Sequence, residues 1–400
     1  MEQNGQLRRQ NPAARAVHPG RSVSTAAQRW IQVRRTLESL ACLIDQSGRW
    51  PKENLRLLST CGAMGWTIPH GFGGYPLPAQ TLHNRYQQIA AACLTTALIL
   101  TQRDAAIEFL NCCRPHPLAE KLLREAAGGR RFITIGISQI TTSGQHHLPT
   151  VTAHRNAGGW SVSGVIPWAT GAHHADWIVA GAAVANEPEP PAGEKGQILF
   201  LLPMRRAGVR VQPAQEMAVL NASDTASVTL SGVRIMDGEV LAGPAADVMS
   251  VRRGRGRLSL NTCILPLGVA AGALDMAREL ASARSKECRQ AVKRLEQQWQ
   301  QLNTAVCALG RDGKAVGKER AVLAVEAGGS IAGLADKSRL RARANLLCSR
   351  AAMAALELAK GRGLSMAHAA QRRARESTFF FVWSSPAAVI EETLGLLAAG

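Results

Sequence analysis

Residues 131–243 differ in texture from everything around them, and this change most constrains the fold. Short β-branched runs, each bounded by turn residues, follow one another there: RFITIGIS, TVTAHRN, GWSVSGVI, DWIVAGAAV, QILFLLPM, VRVQP, SVTLSGVRI and GEVLAG. This is the pattern of successive strands. On the N-terminal side the apolar residues Trp30, Ile31, Leu37, Leu40 and Ile44 recur at helical spacing. Further helices are expected over 51–61, 79–112 and 117–126, with a Gly- and Pro-rich loop at 65–78. On the C-terminal side helices are expected over 265–284, 287–309, 319–335 and 338–360, with a last segment from 366 onward. Segregated elements of this kind predict an α+β assembly: a tail over 1–25, a helical domain over 26–130, a β domain over 131–244 and a helical bundle over 245–400. No G-x-G-x-x-G opens a βαβ unit, which argues against a Rossmann dinucleotide site.

Composition narrows the function classes. The formal net charge is +18, with one dense basic run, VRRGRGR, at 251–257. No zinc-finger or RNA-binding signature accompanies it, so a nucleic-acid partner is not expected, and anionic small molecules suit the charge better. The nine cysteines form no CxxC pair and no metal spacing, which suits reduced thiols and a cytoplasmic setting. No apolar run is long enough for a membrane span. The Arg-rich first 25 residues lack the apolar stretch of a secretory signal.

The stretch GVIPWATGAHHADWIVAGA (164–182) sets Trp168 two residues before Thr170 in a tight turn between two strand-like runs. An aromatic face beside a hydroxyl suits a flat ligand. PHGFGG (69–74), the Trp168–Thr170 turn, NASDTASVTLSGVRI (221–235) and LGVAAGALDMARELASAR (267–284) come in the order and spacing of one family. The chain resembles the acyl-CoA dehydrogenase superfamily. That resemblance implies an N-terminal helical domain, a central β-barrel-like domain and a C-terminal four-helix bundle. It also implies FAD as cofactor, and a homodimer or homotetramer. It places Trp168 against the flavin ring and Thr170 at the reactive nitrogen. Ser138 falls at a family threonine, Gln139 replaces a glutamate, and Ser143, Gly144 and Gln145 stand near a Gly-Ser-Asp. Arg284 fits an arginine that reaches the FAD pyrophosphate across a subunit interface. The adjacent pairs His146/His147 and His173/His174 are not expected to hold a metal.

One part of the pattern is missing. Dehydrogenation of an acyl thioester needs a carboxylate to remove the α proton while hydride leaves to the flavin. In RESTFFFVWSSPAAVIEE (375–392), Arg375 and Glu376 match the family's Arg-Asp, and Ser384 then stands where its glutamate would be. The alternative base position, on the first bundle helix, falls at Leu258. The resemblance therefore implies an FAD-dependent oxidoreductase acting on the CH–CH group of an acyl-CoA or acyl-carrier thioester, with an electron-transfer flavoprotein as acceptor and the base unassigned. The alternatives are a flavin-dependent monooxygenase served by a flavin reductase, or a non-catalytic protein that binds flavin or acyl groups.

Overall fold

In a computed structural model of the chain, residues 26–141, 150–185, 196–252, 260–311 and 337–399 are described. Among the described residues, five helices come first: α1 (Ala26–Ser47), α2 (Lys52–Thr60), α3 (Ala79–Ala92), α4 (Leu94–Cys112) and α5 (Pro117–Ala127). Trp30, Val33, Leu37, Ala41 and Ile44 of α1 are buried, the three-and-four spacing of one helical face. The helical stretch expected over 79–112 forms two helices. Cys93 adopts an extended backbone (φ −152°, ψ 103°), which ends α3 and starts α4.

Among the described residues, eight strands form one connected sheet. They are β1 (Ile133–Gly136), β2 (Val151–Asn156), β3 (Gly159–Ala169), β4 (Trp177–Val184), β5 (Gln197–Pro203), β6 (Val209–Ala214), β7 (Ala226–Met236) and β8 (Val240–Ala245). The order is β6-β7-β3-β2-β4-β5-β8. β1 and β2 occupy successive stretches of one edge of β4, both parallel to it. The sheet is therefore mixed rather than a run of hairpins, and β3 pairs with β2 and β7.

Strands β4 and β5 read as unbroken apolar runs because both of their faces are buried. Ile198, Phe200 and Leu202 point into a core shared with Ile166, Ile178 and Val228. Leu199 and Leu201, one residue out of phase, point into a second core with Phe109 and Leu110 of α4 and Leu122 and Leu123 of α5. The two-residue period of a strand divides one sequence between two cores.

The chain ends in α6 (Asn261–Ala281), α7 (Lys286–Arg311), α8 (Lys337–Ala359), α9 (Ala369–Val382) and α10 (Ala387–Ala398). The helix expected over 319–335 and the tail over 1–25 lie outside the described residues. The small residues of α6 admit the backbone of α3. A Cβ on Gly268 would stand 2.6 Å from Gln87 O, and one on Gly272 would stand 2.6 Å from Ala91 O. Among the described residues, no helix is long and apolar enough to cross a membrane.

A charged cluster lies wholly inside the N-terminal helices. Arg103 pairs with Asp104, and both are buried. Arg103 also donates to Met64 O (2.7 Å) and Ala126 O (3.0 Å). Tyr86 Oη donates to Asp104 Oδ2 (2.5 Å) and Thr67 Oγ1 to Oδ1 (3.2 Å). Burial pushes the Asp104 carboxyl above its ordinary range, against the downward pull of Arg103 and the two hydroxyls.

Candidate flavin site at the end of β3

Trp168 owes its position to a bulge. Ile166 pairs with Val228 and Ala169 with Ala226, so Pro167 and Trp168 together oppose Ser227. On the far side of β7 the same happens: Val211 pairs with Val228 and Ala214 with Ala226. Two bulges thus flank one residue of β7, and bulges re-aim side chains. Ile166 and Ala169 are buried, whereas Trp168 is 47% exposed. The sequence reading put Trp168 in a turn. The structure makes it the penultimate residue of β3, turned outward by the extra residue.

Thr170 begins the turn itself. This turn is joined to residues 223–225 by two backbone bonds, Gly171 N–H to Ser223 O (2.9 Å) and Ala172 N–H to Asp224 O (3.2 Å). Side chains add to it. Thr170 Oγ1 lies 3.3 Å from Thr225 Oγ1, which lies 2.7 Å from Ser223 Oγ. The His173 backbone N–H donates to Asp224 Oδ2 (3.2 Å), and its Nδ1 lies 3.0 Å from Oδ1. His174 stacks on Trp50, with ring centroids 4.2 Å apart. Burial holds the His174 imidazole below its usual range. Both histidines are thus occupied in shaping the turn, and among the described residues no His, Cys, Asp and Glu cluster could hold a metal ion. Gly171 has φ +67°, and a Cβ there would meet the rings of Trp50 and Phe132 at 2.7 and 2.8 Å.

Ser138 is brought beside β3 by β1. A Cβ on Gly136 would stand 3.8 Å from Trp168 O, so the end of β1 passes beside the bulge. Ser138 opens the short turn that follows, and its Oγ is buried with no hydrogen-bond partner among the described residues. Gln139 does structural work: its Nε2 donates to Gly136 O (3.0 Å) and Gly181 O (2.8 Å). Ser143, Gly144, Gln145, His146 and His147 lie outside the described residues. The turn that Ser138 opens therefore packs against β3, the strand that carries Trp168 and leads into Thr170. An exposed aromatic face and a buried hydroxyl without a partner among the described residues suit a flat polar ring such as flavin.

This end of β3 lies where the sheet meets the helices. Arg375 of α9 clasps Asp45 of α1 (Nη2 to Oδ2, 2.5 Å) and donates from Nη1 to Ala218 O (3.0 Å). Val219 and Leu220 of the same loop pack into the core of the helices with Phe380. That loop continues into 223–225, so the Thr170 turn is tied to the bundle through Arg375. Glu376, one residue on, turns inward and pairs with Arg372 (2.9 Å). Burial raises its carboxyl. The supporting residues Ser223, Asp224 and Thr225 escaped the sequence reading, although their Ser-Asp-Thr run was in view as part of a strand motif.

At the expected base position, Ser384 follows α9 with φ +51° and is exposed. Arg341 of α8 holds it from beneath. Nη1 donates to Ser384 O (2.6 Å), and Nη2 donates to Trp383 O and to Ser385 Oγ (3.3 Å). A buried guanidinium therefore stands against the loop where the resemblance puts a carboxylate. Leu258 lies outside the described residues, as do 253–257 of the basic run. Glu392 of α10 reaches Arg339 at 3.9 Å. Arg284 follows α6, about 30 Å along the helix from its start. Its Nη2 donates to Leu358 O (3.2 Å) near the end of α8. In this chain it is thus remote from the start of α6.

No protein-family model matches the chain. It is 21% identical over 249 residues to the mitochondrial short-chain specific acyl-CoA dehydrogenase of Bos taurus, an alignment covering 62% of this chain and 59% of that protein. The chain thus spans under two thirds of that relative's length. Two solved structures share the fold over nearly all of both chains. The TdsC protein of Paenibacillus sp. A11-2, a complex with FMN and indole, has a TM-score of 0.75, 17% identity, and coverage of 94% of this chain and 97% of that one. A glutaryl-coenzyme A dehydrogenase in complex with glutaryl-CoA has a TM-score of 0.72, 16% identity, and coverage of 96% and 97%.

Proposed function

We propose that this chain, a divergent member of the acyl-CoA dehydrogenase superfamily, is a flavin-dependent oxidoreductase that holds FAD against Trp168. The observation that carries this reading is an outward-turned Trp168 two residues before the Thr170 hydroxyl, with the turn of Ser138, whose hydroxyl has no partner among the described residues, packed against the same strand. When bound, flavin supplies two-electron redox chemistry, including reaction with oxygen. Trp168 covers one face of the ring and excludes water from it. Thr170 offers a hydrogen bond at the ring edge, and Ser138 offers a second polar contact. The exposed Ile390 and Leu394 of α10 are apolar surface suited to a second copy, in a homodimer or homotetramer.

Between the two activities that the fold carries, Ser384 favours oxygen chemistry. Removal of an α proton needs a base, and an unassisted serine hydroxyl is not one near neutral pH. Arg341 beneath the loop adds positive charge where that base would sit. The reading is a monooxygenase type of reaction on a small organic substrate, with a flavin reductase as partner. Dehydrogenation of an acyl-CoA, passing electrons to an electron-transfer flavoprotein, is the competing outcome.

An absorbance titration with FAD and FMN, then anaerobic addition of acyl-CoAs of graded length, separates these readings. Flavin binding is expected, with no bleaching by any thioester. Oxygen-dependent product is expected from chemically reduced flavin and a panel of aromatic and sulfur heterocycles. Bleaching by an acyl-CoA would move the activity to dehydrogenation. Absence of flavin binding would remove both readings. Trp168→Ala is expected to weaken flavin binding about 10-fold or more, given the area and stacking of an indole on a ring.

A further inference from the structure

Three hydroxyls run inward from the candidate flavin edge: Thr170 Oγ1, then Thr225 Oγ1 at 3.3 Å, then Ser223 Oγ at 2.7 Å. Thr170 and Thr225 are 8% and 7% exposed, and Ser223 is fully buried. Thr225 is the only partner of the Ser223 hydroxyl among the described residues. Each hydroxyl has one proton, and the two contacts use two of the three. The question is which proton is left over.

If the chain ran inward, Thr170 would donate to Thr225 and Thr225 to Ser223. The leftover proton would then be that of Ser223, in the core with no acceptor. If both ends donated to Thr225, its own buried proton would be stranded. Either arrangement carries the desolvation cost of an unsatisfied buried donor. Only the outward direction, Ser223 to Thr225 to Thr170, leaves the spare proton at the outer end, where a ligand can accept it.

We propose that Ser223 and Thr225 are positioning residues that lock the Thr170 hydroxyl as a hydrogen-bond donor toward the flavin. The proposal rests on the flavin reading above. The consequence is electrochemical. The reactive ring nitrogen of oxidised flavin accepts a hydrogen bond, whereas in reduced flavin it carries a hydrogen and donates one. A locked donor at Thr170 favours the oxidised form. A hydroxyl that itself accepts a hydrogen bond is also a stronger donor, so Thr225 reinforces the effect without touching the ring. The relay therefore holds the flavin potential down.

The test is the midpoint potential of FAD bound to the full chain, measured in wild type, Thr225→Val and Thr225→Ser. Valine keeps the shape and removes the hydroxyl, whereas serine keeps the hydroxyl. Thr225→Val is expected to shift the potential positive and Thr225→Ser to leave it at the wild-type value. Ser223→Ala is expected to shift it positive by a smaller amount, and it serves where Thr225→Val does not fold. A negative shift in Thr225→Val would overturn the proposal, because it would mean that Thr170 donates inward and accepts from the flavin. An unchanged potential would overturn it as well. Failure of the wild-type chain to bind FAD is a separate result: it removes the flavin reading itself, and the proposal with it.

Discussion

Arg103→Met is expected to cost the fold about 3–5 kcal/mol, the penalty typical of stranding one partner of a buried ion pair. The replacement fills much of the space but removes the cation beside Asp104 and the donors to Met64 O and Ala126 O. Tyr86 and Thr67 remain as donors to the carboxylate, two neutral hydrogen bonds in place of a charge. Burial already raises the Asp104 carboxyl, and loss of Arg103 removes a pull in the other direction. The folded-state value therefore rises further. A carboxyl raised in the folded state favours folding at low pH, and that benefit is lost as pH rises through the folded value. The deficit of Arg103→Met relative to wild type is thus expected to be larger at pH 8 than at pH 5. Urea unfolding at the two pH values measures it. A deficit below about 1 kcal/mol at pH 8 would mean that the pair contributes no more than an exposed one.

Gly171→Ala is expected to destabilise the chain by about 2–5 kcal/mol and to abolish flavin binding at the concentrations that saturate wild type. Two costs combine. A non-glycine residue at φ +67° is strained by about 1–2 kcal/mol, and crowding a packed site costs about 1–3 kcal/mol. The crowding is specific, since the new methyl meets Trp50 and Phe132 inside 3 Å. Relief requires the turn to move, and Thr170 moves with it. Thermal unfolding and an FAD titration of the same sample read both effects. Trp50→Leu in the Gly171→Ala background is expected to recover part of the stability by removing one of the two rings. A Gly171→Ala chain as stable as wild type would show that the turn tolerates a side chain and that its geometry is not what holds Thr170.

The order of helices, strands and helices was legible in the chain because it is written in local periodicity. The α1 face is visible as Trp30, Leu37 and Ile44, and β4 and β5 as apolar runs. The break at Cys93 was not legible, because both sides of it carry helical patterns and nothing local marks the interruption. Trp168 and Thr170 stood out as an unusual pair, but the bulge that turns Trp168 outward depends on the register of β3 against β7. Register is a property of two strands and cannot be read from one.

Sequence alone determined the architecture, the Trp–Thr pair and the absence of a carboxylate at Ser384, since each is a matter of residue type or of spacing within one segment. Tertiary structure decided everything that joins distant segments: the end of β1 beside Trp168, the Ser223–Thr225–Thr170 chain, Arg375 binding the loop to the helices, and Arg341 beneath Ser384. Those contacts join residues as far apart as Arg375 and Ala218, across separate elements. A hydrogen bond between such residues exists only once the cores on either side have set the distance, and so it leaves no periodic trace in the chain.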